Sequence, residues 1–140
     1  MFAAFPLLAL PVLIYNLLVA TIAGGFSGDG ASERINGALF TLRLHAHTVW
    51  PVSLGDALLA GALVVLFVEL LKSTASRSVA IINHALSMIL FVVCLVEFLL
   101  FPAFATSAFF LLTLMVLLDV LAGFIVTIVA ARREIDIHDR

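Results

Sequence analysis

Long runs of apolar residues, separated by short polar stretches, dominate the pattern along the chain. Four runs are long enough to cross a bilayer as helices, which takes about 20 mostly apolar residues. They cover roughly Phe5–Ala23, Leu54–Leu71, Val79–Phe101 and Ala105–Ala131. An open sheet cannot satisfy its backbone polar groups in lipid, so strands are excluded for these runs. The pattern therefore predicts an all-α membrane protein with four transmembrane helices in one compact bundle.

The loop between the first two runs, residues 24–53, has a different pattern. Its first part, Gly24–Gly37, is small, polar and rich in glycine, which predicts a flexible turn. From Ala38 apolar and polar residues alternate, as is typical of a half-buried strand, and Thr48–Ser53 is a second extended piece. We expect a short hairpin or cap on the membrane surface, with Trp50 at the lipid headgroups. An irregular interfacial loop is the alternative.

Composition supports a membrane protein and excludes several classes of function. Of the 140 residues, 64% are hydrophobic and 11% charged, against about 45–50% and about 25% in soluble domains. The net charge of -2 gives no reason to expect a nucleic-acid partner. A single cysteine, Cys94, cannot form an intrachain disulfide. Because no phosphate-binding loop, HExxH or GxSxG pattern occurs, we expect one membrane domain without enzymatic activity or cofactor.

The basic residues predict how the chain is oriented in the membrane. Five of them lie in the turn after the second run or in the tail 132–140: Lys72, Arg77, Arg132, Arg133 and Arg140. The long loop contains the other two, Arg34 and Arg43. Positive residues concentrate on the cytoplasmic side. We therefore expect both termini in the cytoplasm and, for a bacterial inner-membrane protein that crosses several times, the loop in the periplasm.

The first apolar run has a second interpretation. Thr21-Ile22-Ala23 is a tolerable cleavage context for a signal peptide, but no Lys or Arg precedes Phe5. A signal peptide needs such a positive region, so a membrane span is favoured. Pro6 suits the start of this helix, and Pro11 predicts a kink.

Polar side chains inside the spans are the candidate functional residues, because ionisable groups in lipid are costly and usually have a partner or a task. They are Glu69, Asn83, His84, Ser87, Glu97 and Asp119. Asp119 is the deepest and shares its helix face with the small residues Gly123 and Ala130, so we expect it to point into the bundle. It is interpreted as a carboxylic acid that is hydrogen-bonded to a neighbouring helix, or as a proton carrier.

The remaining candidates divide between two helices. Asn83, Ser87, Cys94 and Glu97 fall within about 80° of helix surface, which predicts interhelical hydrogen bonds or a water path. Glu69 can pair with Lys72 one turn away, or meet His84 on the next helix. Close packing is expected at the small residues Gly55, Ala62, Gly123 and Ala130, and anchoring at the membrane interface is expected of Trp50, Lys72, Arg132 and Arg133.

Metal binding is not expected. His84 is the only histidine within a span, so two imidazoles of one chain cannot face each other across a haem. His45 and His47 would share a strand face, with Asp29 or Glu33 nearby, but such a pair is a weak ligand signal. A solvated loop face is the favoured interpretation.

Two stretches carry a resemblance to known sequences. The segments from His84-Ala-Leu-Ser-Met88 to Cys94-Leu-Val-Glu-Phe98, and from Phe109-Phe-Leu-Leu-Thr113 to Asp119-Val-Leu-Ala-Gly123, resemble small four-helix inner-membrane proteins of alphaproteobacterial type. The likeness also includes Phe67–Ser73 and covers roughly the last two thirds of the chain. It implies a bacterial inner membrane and four spans, and it implies no activity.

Three functions are compatible with the sequence. The first is a structural or accessory subunit that packs against itself or other membrane subunits in the lipid bilayer. The second is an oligomeric proton- or cation-conducting unit that uses the intramembrane carboxylates. The third is a lipid- or quinone-binding subunit with an apolar cleft lined by the rings at the shared end of spans three and four: Phe98, Phe101, Phe104, Phe109 and Phe110. The favoured alternative for these rings is contact with the outer headgroup boundary.

Overall fold

Helices make up 74% of the chain in the computed structural model. It describes residues 5–22, 24–28, 30–45, 47–73 and 77–138, with side chains described outside 73–80 and 130–138. The elements are α1 (Ala9–Ile22), α2 (Ala31–Ile35), β1 (Ala38–His45), β2 (Thr48–Ser53), α3 (Leu54–Ser73), α4 (Arg77–Leu100) and α5 (Ser107–His138), with a 3-10 turn at Pro102–Phe104.

Among the described residues, three helices are long and apolar enough to cross a membrane, namely Leu54–Lys72 in α3, Ile81–Leu100 in α4 and Ser107–Val129 in α5. They confirm three of the four predicted helices. The first predicted span contains an apolar helix of only 14 residues, α1. At 1.5 Å per residue α1 is about 21 Å long, which is less than the hydrocarbon core of about 30 Å.

The helix ends follow local sequence signals. At the start of α3, Ser53 Oγ accepts a hydrogen bond from the Asp56 N–H at 3.0 Å, and Asp56 Oδ2 accepts one from the Ser53 N–H at 2.9 Å. This reciprocal capping box stabilises the first turn. α4 ends where Phe101 adopts an extended conformation, because the following Pro102 disfavours helical geometry there. Thr106 Oγ1 then accepts a bond from the Phe109 N–H and begins α5.

α5 lies at the centre of the helix packing. It runs antiparallel to α4, since Ser87 meets Asp119 while His84, earlier on α4, meets Gly123, later on α5. The start of α3 lies beside the start of α5, at Gly55 and Ala108. The largest fully buried side chains include Tyr15 of α1, Phe104, and Phe109 and Leu112 of α5. α1 therefore contributes to the same apolar core as the longer helices.

The segment between α1 and β1 differs from the predicted flexible turn. It contains the short helix α2, whose Ala31 and Ile35 are buried. A Cβ built on Gly55 would lie 3.2 Å from Ile35 Cγ2, so α2 packs closely on α3. Gly24 and Gly25 have φ values of 78° and 97°, a conformation that favours glycine and turns the chain after α1.

The predicted hairpin is confirmed. β1 and β2 form an antiparallel two-stranded sheet in which Phe40 pairs with Val52 and Leu42 with Trp50. Alternation predicted a half-buried β1, yet all eight of its residues are exposed. The difference arises because no element in the described part of the chain covers either face of the strand.

The structure differs from two further predictions, at Pro11 and at the C-terminal tail. Pro11 lies in the first turn of α1, where its missing N–H needs no partner within the helix, so the residue marks a helix start rather than a kink. The tail that was predicted to begin at residue 132 continues the backbone of α5 to His138.

Candidate functional site

Glu69 of α3 connects the N-terminal end of α1 to the longer helices. Its side chain is fully buried, and its carboxylate accepts a hydrogen bond from the Leu7 N–H. Lys72 Nζ forms an ion pair with Glu69 Oε1 at 2.7 Å, without the geometry of a hydrogen bond. The same Nζ donates a hydrogen bond to the Phe5 carbonyl oxygen at 2.6 Å. The free N–H groups at a helix start favour a negative charge. Of its two predicted partners, Glu69 thus pairs with Lys72. It also accepts a hydrogen bond from the backbone just before α1.

Asp119 of α5 makes the contact between α4 and α5. It is 4% exposed, and its Oδ2 accepts a hydrogen bond from Ser87 Oγ at 2.5 Å. Asp119 is also within electrostatic reach of Glu69, Lys72 and His84. Asp119 and these three groups are called the Asp119 cluster below.

Two polar atoms near this pair have no hydrogen-bond partner although they are buried: Asn83 Oδ1 and His84 Nδ1. Asn83 stands one helical turn from Ser87, and its side chain is 3% exposed. His84 packs against the backbone of α5, because a Cβ built on Gly123 would lie 2.7 Å from its Nδ1. Gly123 thus lets α4 and α5 approach closely, as predicted for a small residue at a helix contact.

Glu97 forms a second polar contact, apart from the Asp119 cluster. Asn16 of α1 donates a hydrogen bond from Nδ2 to Glu97 Oε2 at 3.3 Å and another to the Val12 carbonyl. Asn16 was not among the predicted site residues. It stands in the middle of the first apolar run, so the cost of a polar group in lipid would have identified it. Cys94, on the same stripe as Glu97, is a buried free thiol.

Aromatic rings pack together around Tyr15. The Tyr15 ring centroid lies 4.7 Å from that of Phe109 and 5.7 Å from that of Phe104, and its hydroxyl bonds Thr106 Oγ1 at 2.5 Å. Phe98 contacts Phe110, and Phe101 contacts Phe104. The rings predicted to line an apolar cleft contact one another or Tyr15, and Phe104 and Phe109 are fully buried in the core.

The remaining predicted residues are distributed over the molecule. Gly55 and Ala62 are buried on α3, and a Cβ on Gly55 would lie 3.2 Å from Ala108 Cβ. Trp50 is 48% exposed on the hairpin, and Lys72 belongs to the contact with Glu69. The side chains of Ala130, Arg132 and Arg133 lie outside the described residues.

The chemistry available in these contacts is hydrogen bonding between helices, together with the Glu69–Lys72 ion pair within α3. Among the described residues no group of three His, Cys, Asp or Glu side chains lies close enough to hold a metal ion. His45 and His47 are exposed, as is Glu33, while Asp29 lies outside the described residues. No protein-family model, curated protein or solved structure matches the chain.

Proposed function

We propose that the chain is a small integral membrane protein that acts as a structural or accessory subunit, through helix packing in a homo-oligomer or a larger membrane complex. The observation that carries the proposal is that each deep helical carboxylate among the described side chains has a partner in its own chain: Glu69 has Leu7 and Lys72, Asp119 has Ser87, and Glu97 has Asn16. Polar side chains engaged in this way help to hold membrane helices together.

The outer surface supports an assembly role as well. In the most apolar stretch of α4 only 17% of residues are buried, against 39% in α5. Large apolar side chains such as Ile89, Val92 and Leu100 are exposed along α4. Lipid or another subunit must cover this surface, because an apolar area of this extent is not stable against water.

We also propose that α1 crosses the membrane, which makes four spans with both termini in the cytoplasm. Its length alone does not support a crossing, but its contacts do. The Phe5 carbonyl meets Lys72 near the end of α3, and the Phe26 carbonyl accepts a bond from the Ala103 N–H between α4 and α5. The segment from Phe5 to Phe26 thus joins the two ends of the long helices. A bacterial inner membrane is the location that the resemblance of the last two thirds implies.

Native mass spectrometry of the protein, extracted from its source membrane in nanodiscs, tests the accessory role. We expect a defined homo-oligomer or a stoichiometric complex with other membrane proteins. A monomer in nanodiscs and in several mild detergents would contradict the proposal. The same spectra test the third function, since a retained lipid or quinone would be released as a species of defined mass.

Conduction of protons or cations by an oligomer is the second candidate function, and one observation favours it. Asn83 Oδ1 and His84 Nδ1 are buried without partners near the Asp119–Ser87 pair, and such atoms are where water enters a helix bundle. Proton flux into proteoliposomes is the test, with Asp119→Asn as the variant and Glu33→Gln, at an exposed carboxylate of α2, as the control. Conduction predicts flux that only Asp119→Asn abolishes; an absence of flux, or equal flux in all three proteins, rejects it.

A further inference from the structure

The two faces of the β1–β2 hairpin differ in polarity. Residues that pair across an antiparallel ladder lie on the same face, and successive pairs alternate between faces. Phe40 with Val52 and Leu42 with Trp50 therefore form one face, which is apolar throughout. The opposite face carries the pairs Thr41 with Pro51 and Arg43 with Val49. The hairpin is amphipathic, and its apolar face is defined by Phe40, Leu42, Trp50 and Val52.

Most of the apolar face is uncovered by the described part of the chain. Phe40 is 52% exposed, Leu42 43% and Trp50 48%, while Val52 at the base is buried. An isolated two-stranded hairpin is only marginally stable in water. A hairpin that keeps its shape while exposing three large apolar side chains needs a surface against which they pack.

The position of the hairpin identifies that surface. Ser53 ends β2 and Leu54 begins α3 without a linker, and the Ser53–Asp56 capping box fixes the junction. Because α3 is a candidate membrane span from its first residue, the base of the hairpin lies at the headgroup level of the bilayer. An aromatic ring such as that of Trp50 is favoured at that level, and the Arg43 side chain on the opposite face favours water and phosphate groups.

We propose that the β1–β2 hairpin is an interfacial anchor whose apolar face lies in the boundary between headgroups and acyl chains of the membrane that α3 enters. Phe40, Leu42 and Trp50 enter this boundary, and Thr41 and Arg43 face the aqueous side. The occupant of the apolar face is lipid, rather than a second copy of the chain or another protein. This anchor requires only that α3 is inserted in a membrane. A result that rejects the accessory role therefore leaves the anchor proposal unaffected, and the reverse also holds.

Trp50 is the single tryptophan of the chain and reports its own depth by fluorescence. The full-length protein is placed in phosphatidylcholine liposomes that contain spin-labelled lipids, with the label near the headgroup or near the bilayer centre, and iodide is the aqueous quencher. We expect strong quenching by the shallow label, weaker quenching by the deep label and little by iodide. Strong iodide quenching would place the hairpin in water, and protection from all three quenchers would show a protein cover; either result overturns the proposal.

Two neighbouring substitutions test which face is inserted. Leu42→Asp puts a charge on the apolar face, and Thr41→Asp puts the same charge on the opposite face one residue away. We expect Leu42→Asp to increase iodide quenching of Trp50 several-fold and to decrease quenching by the shallow label, while Thr41→Asp matches the wild type. Equal effects of the two variants would reject the assignment of the faces. The wild-type depth measurement remains decisive if Leu42→Asp disrupts the hairpin.

Discussion

At the scale of single residues, the Asp119–Ser87 pair shows how much a buried carboxyl depends on one donor. Ser87→Ala removes the hydroxyl and leaves Asp119 Oδ2 without this bond inside the helix contact. Interhelical hydrogen bonds in membranes average about 0.6 kcal/mol, but a buried polar atom left unsatisfied costs about 1–3 kcal/mol. We therefore expect Ser87→Ala to lower the stability of the bundle by the larger amount. Denaturant-induced unfolding in mild detergent measures it, with the exposed Ser107→Ala as control.

Gly123 and Gly61 give a matched pair of glycines for a second prediction. A Cβ at Gly123 would lie 2.7 Å from His84 Nδ1, whereas a Cβ at Gly61 would meet no atom within 4 Å. Gly123→Ala must displace His84 and costs about 1–3 kcal/mol, as overpacking does. Gly61→Ala is neutral, or stabilising by up to about 1 kcal/mol, because alanine is the better helix former.

The double variant distinguishes the His84 contact from other causes. If the clash explains the loss, His84→Ala restores much of the stability of Gly123→Ala, and the two effects are not additive. Additive effects in the same unfolding assay would show that Gly123 acts through something other than His84.

At this scale the sequence predicts which polar residues matter better than it predicts the partners to which they bind. The cost of a charge in lipid singled out Asp119 and Glu69, and helix periodicity predicted the pairing of Glu69 with Lys72. The bond between Ser87 and Asp119 could not be predicted, because it depends on the antiparallel register of α4 and α5. The Leu7 N–H contact of Glu69 spans 62 positions in the chain and depends on where α1 begins.

At the scale of elements, α1 depends on polar contacts at its N-terminal end more than its sequence indicates. Glu69→Leu removes both the acceptor for the Leu7 N–H and the partner of Lys72, whereas Glu69→Gln keeps an acceptor and removes only the charge. We expect faster hydrogen exchange at the start of α1 in both variants, with the larger effect for Glu69→Leu. Exchange mass spectrometry of peptides from this region measures the effect.

The control for α1 is Glu33→Gln, which changes an exposed carboxylate on α2. It should leave exchange at the start of α1 at the wild-type rate. Identical exchange in Glu69→Leu and wild type would show that apolar packing of residues such as Leu8 and Val12, both buried, is sufficient to hold this end.

Elements were predictable where their signal is long or periodic. The three long helices and the hairpin follow from apolar length and from alternation. The helix α2 has only five residues, too few for a periodic pattern, and it forms where Ala31 and Ile35 pack on neighbouring elements. The exposure of β1 was not predictable either. Alternation indicates that one face of a strand is covered, but it does not show whether the same chain or the surroundings cover it.

At the scale of the whole molecule, the path of α1 decides the topology, and single-cysteine labelling tests it. In a Cys94→Ala background, cysteines are introduced one at a time as Phe5→Cys, Ser27→Cys and Arg140→Cys. Four crossings predict that a membrane-impermeant maleimide reaches Ser27→Cys from outside intact cells, and reaches Phe5→Cys and Arg140→Cys only in inverted vesicles. The excess of basic residues beside the ends of the long helices gives the expected direction.

The opposite pattern of labelling has an equally definite meaning. If Phe5→Cys and Ser27→Cys react from the same side, α1 enters and leaves the membrane on one face, as its 14 residues allow, and the chain has three crossings with its termini on opposite sides. Labelling of Arg140→Cys separates these cases. The maleimide reaches it from the same side as Phe5→Cys in the first case and from the opposite side in the second. The contacts of Phe5 with Lys72 and of Phe26 with Ala103, at opposite ends of the bundle, favour the first.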